Sequence, residues 1–396
     1  MPDATPDPVG VRVARARKQR GLTQHGLAQR TAYSRSHIAQ VEAGHKVATP
    51  AFVAAVAGAL GVDPADLYGQ PFHLPGRAER IHSAIPGLRR SLIAVEIPPE
   101  LEAPPRSLDE LASELAVLRR FQELSQHSQI GVRLPALLEE LAWHAHDSGG
   151  SRAWESLFRA CEAGADLCRK LGHHDLATSS LEAARRAARH VQDPNLPLLV
   201  PIRRSLLLSA VGQPRSALTL LGQAVRAVDH DRRDAHEVLG TALLRSAVIA
   251  ARAGDRAAWD YYGQAVEVRE ASGDEPGTRH GVTTGFTPGN VAIHCAAVAV
   301  ELGDLDEAAR RDQQIPEQTL ASLIPERRAH HEVDMARVHM ETGDHDKAMR
   351  RILRAEQTAP QMTRFHPSAR TVVTHLVDVR RTIPEPLRGL KTRMGV

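Results

Sequence analysis

The sequence predicts an all-α protein, a small N-terminal bundle followed by a long array of paired helices. Three observations predict it. Aromatic residues make up only 3% of the chain, and the 42% apolar content is carried mainly by Ala, Leu and Val, which favours helix-on-helix packing over sheet layers. Residues of N-cap type stand directly before apolar runs of helical period in the first 70 positions. Glycine-centred turns then recur between helical stretches from residue 171 to residue 348.

Length and composition bound the remaining possibilities. A chain of 396 residues supports two or three domains with their own cores and has no need of disulfides or metals to fold. The three cysteines, Cys161, Cys168 and Cys295, form no CxxC pair, and we read them as buried thiols in a reducing cytoplasm. The opening MPDATPDPVG lacks the pattern of a signal peptide, and the longest apolar run, AFVAAVAGALGV (51–62), is too short to span a bilayer. A cytoplasmic protein without membrane contact is expected.

Charge is distributed unevenly. The formal net charge is +3, yet residues 9–50 carry eight basic side chains against one acid, Glu42. A basic module on a mildly acidic body indicates that one end meets a polyanion.

The expected elements of the module follow in order. Residues 1–8 are expected to be a disordered tail. VRVARARKQRG gives an amphipathic first helix through Val9, Val13, Ala14 and Ala16. Thr23 caps a second helix that begins at Gln24 and ends near Thr31, with Leu27 and Ala28 facing inward. Ser34 caps a third, where Ile38 and Val41 share one face and Gly44 terminates it. Two short helices joined by a brief turn form a helix-turn-helix. Ala28 is small enough to let the pair cross closely. Thr49 and Pro50 start a fourth helix.

These residues, LTQxxLA…S…IxxxExG followed by P…VAGALGV, resemble the phage-repressor/Cro-like, or XRE, family of helix-turn-helix domains over residues 9–70. The resemblance implies a five-helix domain bound to double-stranded DNA, with the third helix in the major groove. It implies base contacts from Arg35, Ser36 and Gln40, of which arginine suits guanine and glutamine suits adenine. It places Gln24, Ser34, Arg17, His45 and Lys46 at phosphates, and it implies that Ala28, Ile38, Val41 and Glu42 are structural, Glu42 by holding Arg17. Two residues depart from the pattern. Ala32 stands where the family has a turn glycine, and a left-handed backbone there would cost about 1 kcal/mol; Gly26 inside the second helix costs a similar amount.

Proline and charge cluster on both sides of a short helical piece, about 77–94, so residues 71–108 are expected to be a linker. From 109 to 380 the turns LGHHDLA (171–177), VGQPRSA (211–217), AGDRAAW (253–259), LGDLDEA (302–308) and TGDHDKA (342–348) resemble tetratricopeptide repeats. An alanine follows the glycine by five residues in four of them, at Ala177, Ala217, Ala308 and Ala348, and Trp259 takes that place in the fifth. An α-solenoid is therefore expected, with residues 381–396 as a C-terminal tail. The whole arrangement resembles a group of bacterial regulators common in actinomycetes, which implies a homodimer formed through the repeats and an effector bound by them.

The effector could be a peptide, a small molecule or a protein; solenoid surfaces suit all three. Arg279, His280, Asn290 and His294 are candidate effector-binding residues beside the glycine-rich stretch 272–290, with Asn290 and His294 four apart on one helix face. Caps and local packing explain the last two equally well. No catalytic residues, metal or cofactor are expected: HEVDM (331–335) puts Met335 where a zinc helix needs its second histidine. Neither a phosphate loop with lysine nor a GxSxG elbow is present. The alternative to a regulator is a protein-interaction scaffold whose head binds DNA without sequence preference.

Overall fold

The computed structural model describes residues 7–72, 80–97, 100–272 and 285–396, and all regular elements among them are helices. The head contains α1 (Val9–Gln19), α2 (Gln24–Ala28), α3 (Arg35–Glu42), α4 (Pro50–Leu60) and α5 (Pro64–Tyr68). Each boundary has a chemical cause. Thr23, Ser34 and Thr49 accept hydrogen bonds from the backbone N–H groups of Gly26, His37 and Phe52, which satisfies orphan donors at three helix starts. Gly44, Gly61 and Gly69 supply the positive φ that ends α3, α4 and α5. Val13, Leu27, Ile38, Val41, Phe52, Val53, Val56 and Leu60 meet in one core.

Helix α2 stops at Ala28, earlier than the sequence pattern predicts. The expected strain at Ala32 is absent: among the described residues Ser125 is the non-glycine residue at positive φ. The turn between α2 and α3 instead runs through right-handed and extended backbone, which alanine adopts at no cost. The closest helix approach in the head lies elsewhere. A Cβ on Gly10 would sit 2.1 Å from the Val41 carbonyl oxygen, so it is glycine in α1 that lets α1 cross α3.

The body is an array of antiparallel helix pairs. The five predicted turns are all present, with Gly172, Gly212, Gly254, Gly303 and Gly343 at φ between 73° and 85°. They join helices 151–171 to 174–188, 199–210 to 214–226, 235–252 to 258–271, 288–302 to 305–314 and 325–341 to 345–358. Ala177, Ala217, Ala308 and Ala348 are buried at the tight crossings that follow. Trp259, too large for that role, stays partly buried under the Arg311 guanidinium, 5.3 Å from its ring centroid. The array curls until its ends touch: the Ser128 N–H donates to Gln361 Oε1 at 2.9 Å.

Two segments expected to lie outside the repeats belong to them. Within 71–108, helix Ile85–Ala94 buries Ile85, Leu88 and Leu92 in the core of the first repeats, together with Phe72 and Ile81, so this stretch covers an end of the array. The expected tail 381–396 contains helix Glu385–Met394, whose Leu387, Leu390 and Met394 are fully buried against the last repeat. Pro86 and Pro386 sit in the first turns of these two helices. No described helix is long and apolar enough to cross a membrane.

Candidate nucleic-acid interface and the cavity beneath it

Because α3 points Ile38 and Val41 inward, its opposite face is fixed. Arg35, Ser36 and Gln40 are exposed together, and none of their side chains has a hydrogen bond or ion pair to another described residue. Ser34, also exposed, spends its hydroxyl on the cap. His45 and Lys46 follow α3 on the surface, held there because both backbone N–H groups donate to the Gln40 carbonyl, at 2.8 and 3.1 Å. The Lys46 ammonium lies 3.3 Å from His37 Nδ1. His37 stacks on Phe52, and burial, with Lys46 adding to it, holds its imidazole below the ordinary value.

Arg17 and Glu42, the pair that the family pattern implies, meet inside the head. Arg17 is buried, donating Nε and Nη2 to the Glu42 carboxylate at 2.6 and 2.8 Å and Nη1 to the Leu22 carbonyl at 2.7 Å. Gln24 also turns inward, donating Nε2 to Glu42 Oε2 at 2.9 Å. Burial alone would push the Glu42 carboxyl up, but these hydrogen bonds outweigh it and hold the group below the usual carboxylate range. Glu42 is thus structural as expected, Ala28, Ile38 and Val41 pack in the head core, and Arg17 is structural as well. Of the other basic side chains, Arg12 and Arg20 donate to the carbonyls of Tyr68 and Gly61, and Arg15 pairs with Asp7. Arg15 and Arg20 stay exposed in these contacts, and Lys18, Arg30, Arg35 and Lys46 are exposed without a carbonyl or carboxylate partner among the described residues.

The head rests on the open side of the curled body. The Gly212 turn meets α4 so closely that a Cβ there would sit 2.9 Å from the Ala54 carbonyl oxygen, and Val47 packs against the last repeat. Between them lies a cavity of about 880 Å³. Its roof is the head's Ala32, Tyr33, Pro50, Ala54 and Tyr68, and its walls come from repeat helices, including Arg245, His294, Arg327 and His330. It is not legible in the sequence, since its lining is drawn from stretches that run from Ala32 to Ser368.

Among the effector candidates, Arg279 and His280 lie outside the described residues. Asn290 does not line the cavity: it is buried and donates Nδ2 to the Gly285 carbonyl at 2.6 Å. His294 does line it, with Nδ1–H donated to the Asn290 carbonyl at 2.6 Å. Burial, reinforced by nearby Arg327, pushes its imidazole down to about 3, so it is neutral. Other histidines of the body are engaged within it: His144 and His146 donate to the carbonyls of Arg106 and Val95, and His173 faces His82.

One cavity group makes the body sensitive to pH. Burial, with Glu301 adding to it, pushes the Asp334 carboxyl up to about 6. An unfolded aspartate titrates near about 3.9, so the folded state holds the extra proton between those values and stability falls as pH rises from about 4 to about 6. Asp334→Asn is expected to gain about 3 kcal/mol over wild type at pH 7 and nothing below about pH 4. Urea titrations at the two pH values check this; an equal effect at both would contradict it.

Residues 8–67 match the family described as the helix-turn-helix domain. No curated protein matches the chain. Among solved structures it is similar to Bacillus thuringiensis PlcR, in a crystal structure with the peptide PapR7 and DNA, at 14% identity and a TM-score of 0.30. That similarity covers 68% of this chain and all of the other. The matched helix-turn-helix residues are those of α1 to α5, from just before Val9 to within the α5 helix.

Proposed function

We propose that the chain is a sequence-specific DNA-binding transcriptional regulator of the XRE type, dimeric through its repeats, whose body senses an effector. The observation that carries the reading is the exposed trio Arg35, Ser36 and Gln40 on a capped helix whose other face is locked into the core. Arg35 reaches guanine O6 and N7, Gln40 pairs adenine, and each contact discriminates by about 1–3 kcal/mol. Ser34, His45 and Lys46 flank that face and set affinity through phosphate. Two heads about 34 Å apart would read half-sites one helical turn apart. Effector control is supported by the head itself forming the roof of the cavity, since a molecule held there touches the element that reads DNA. The chain works inside the cytoplasm and is not an enzyme.

Selection of bound genomic fragments followed by footprinting tests the reading. Arg35→Ala is expected to relax preference at one base pair of each half-site by about 1–3 kcal/mol while leaving other positions unchanged; uniform weakening across all sequences would favour the scaffold instead. Lys46→Ala is expected to reduce the salt slope of binding by about one unit. In DNA-free protein that lysine faces His37, so an unchanged slope would show that it never leaves the histidine for phosphate.

A further inference from the structure

We propose that the cavity under the head binds a multivalent small anion, a polycarboxylate or a phosphorylated metabolite, clasped between Arg245 and Arg327. The proposal gives a chemical class to the effector and rests on the sensing part of the reading above.

The argument is one of unmatched charge. Nine arginine and lysine side chains line the cavity against six carboxyls. Five of those carboxyls already have cationic partners. Glu162 is held by Arg203, Asp166 and Glu326 by Lys170 at 2.6 and 2.8 Å, Glu301 by Arg252 at 2.9 Å, and Glu123 by Arg120 at 3.1 Å. The sixth, Asp334, resists ionisation. Of the cations without a partner Arg215 is exposed, which leaves Arg245 and Arg327: each is largely withdrawn from bulk solvent, lines the cavity, and has no hydrogen bond or ion pair from its side chain to any described residue.

Such an arrangement is expensive in an empty protein. Arginine cannot shed its proton at any ordinary pH, and an unpaired charge taken out of water costs several kcal/mol. Burial, together with Arg327, Arg169 and Arg203, works against the charge on Arg245, and only Asp166 assists it. Charge kept at such a cost at the wall of a cavity has a use when a ligand completes it.

The neighbours suit an anion. His294 and His330 line the same cavity, and burial holds them down to about 3 and about 4, so they offer neutral hydrogen bonding without adding charge. Arg245 comes from helix Ala235–Arg252, His294 from Pro288–Leu302, and Arg327 and His330 from Pro325–Glu341. A guanidinium fork on each side favours planar or tetrahedral oxyanions bound through paired hydrogen bonds. The volume exceeds what one inorganic ion needs, which points to an organic anion with several charges.

Calorimetric titration of the full chain with citrate and with inorganic pyrophosphate, without DNA, tests the inference. Saturable binding of at least one is expected, and the preferred probe assigns the ligand to the carboxylate or the phosphate class. Arg245→Gln and Arg327→Gln should each weaken that binding tenfold or more. In anion-free buffer both variants should melt at or above the wild-type temperature, because each removes an uncompensated charge. No saturable binding of either probe, wild-type affinity in both variants, or a lower melting temperature in anion-free buffer would overturn the proposal. Arg35→Ala should bind the anion as wild type does. Failure of the DNA reading would show in footprints and failure of this one in the calorimeter, so the two are separable.

Discussion

Arg17→Ala is expected to unfold or nearly unfold the head, at a cost of about 3–5 kcal/mol. Both members of its pair are inside, with side-chain exposures of 10% for Arg17 and 7% for Glu42. Removing the arginine leaves a carboxylate buried with only the Gln24 amide for company, and it strands the Leu22 carbonyl as well. A domain of about 60 residues commands only about 3–9 kcal/mol in total, so the loss is decisive. The double variant Arg17→Met, Glu42→Leu removes both charges and should recover most of the stability. Thermal melts of the head, followed by its near-ultraviolet signal, check the pair. If Arg17 is structural only, the folded double variant binds DNA with the wild-type salt slope; a slope lower by one unit would restore its phosphate role.

That contrast shows where sequence reasoning reached its limit. Caps, termini and the α3 core face in the head are local consequences of residue type, so Thr23, Ser34, Thr49, Gly44, Ile38 and Val41 could be read directly. Which way a basic side chain turns is not local. Arg17 was legible only through its pairing with Glu42 in the family pattern, whereas Arg12 has the same chemistry as Arg35 and the Tyr68 carbonyl, distant in sequence, draws it inward, and Arg20 reaches the Gly61 carbonyl while staying exposed. The close approach at Gly10 was equally silent, since a helix start tolerates glycine for many reasons.

In the body the five glycine turns were legible because each needs a left-handed residue at a fixed offset from a small one. The covering helix 85–94 and the final helix 385–394 were not, because short helices rich in proline and charge carry weak periodicity and depend on the surface that receives them. HEVDM drew attention for the wrong chemistry. Its His331 and Glu332 face partners on neighbouring helices, Asp312 at 2.8 Å and Arg351 at 3.1 Å, pairings that no spacing within the motif encodes.

Those partners support the second large effect. Helices 305–314, 325–341 and 345–358 are joined by one arginine: Arg351 reaches both Asp312 and Glu332. Arg354 also reaches Glu332, at 3.2 Å. The two arginines differ chiefly in surroundings, since their side chains are 19% and 49% exposed while that of Glu332 is 2% exposed. Arg351→Ala is expected to destabilise the full chain by about 3 kcal/mol or more, because two withdrawn carboxylates lose their shared partner. Arg354→Ala should cost less than about 1 kcal/mol, as solvent already screens that contact. Burial works to push the Asp312 carboxyl up, but the hydrogen bond from His331 and the charge of Arg351 hold it below the ordinary value. The stability it contributes is therefore present above about pH 4 and is lost as pH falls through its depressed range. It follows that the Arg351→Ala deficit should be full at pH 7 and should narrow below about pH 4, where the carboxyl it abandons is neutral. Urea unfolding at both pH values decides the matter: equal costs for the two arginines, or a deficit independent of pH, would show that packing of the side-chain stem, rather than charge, joins these helices.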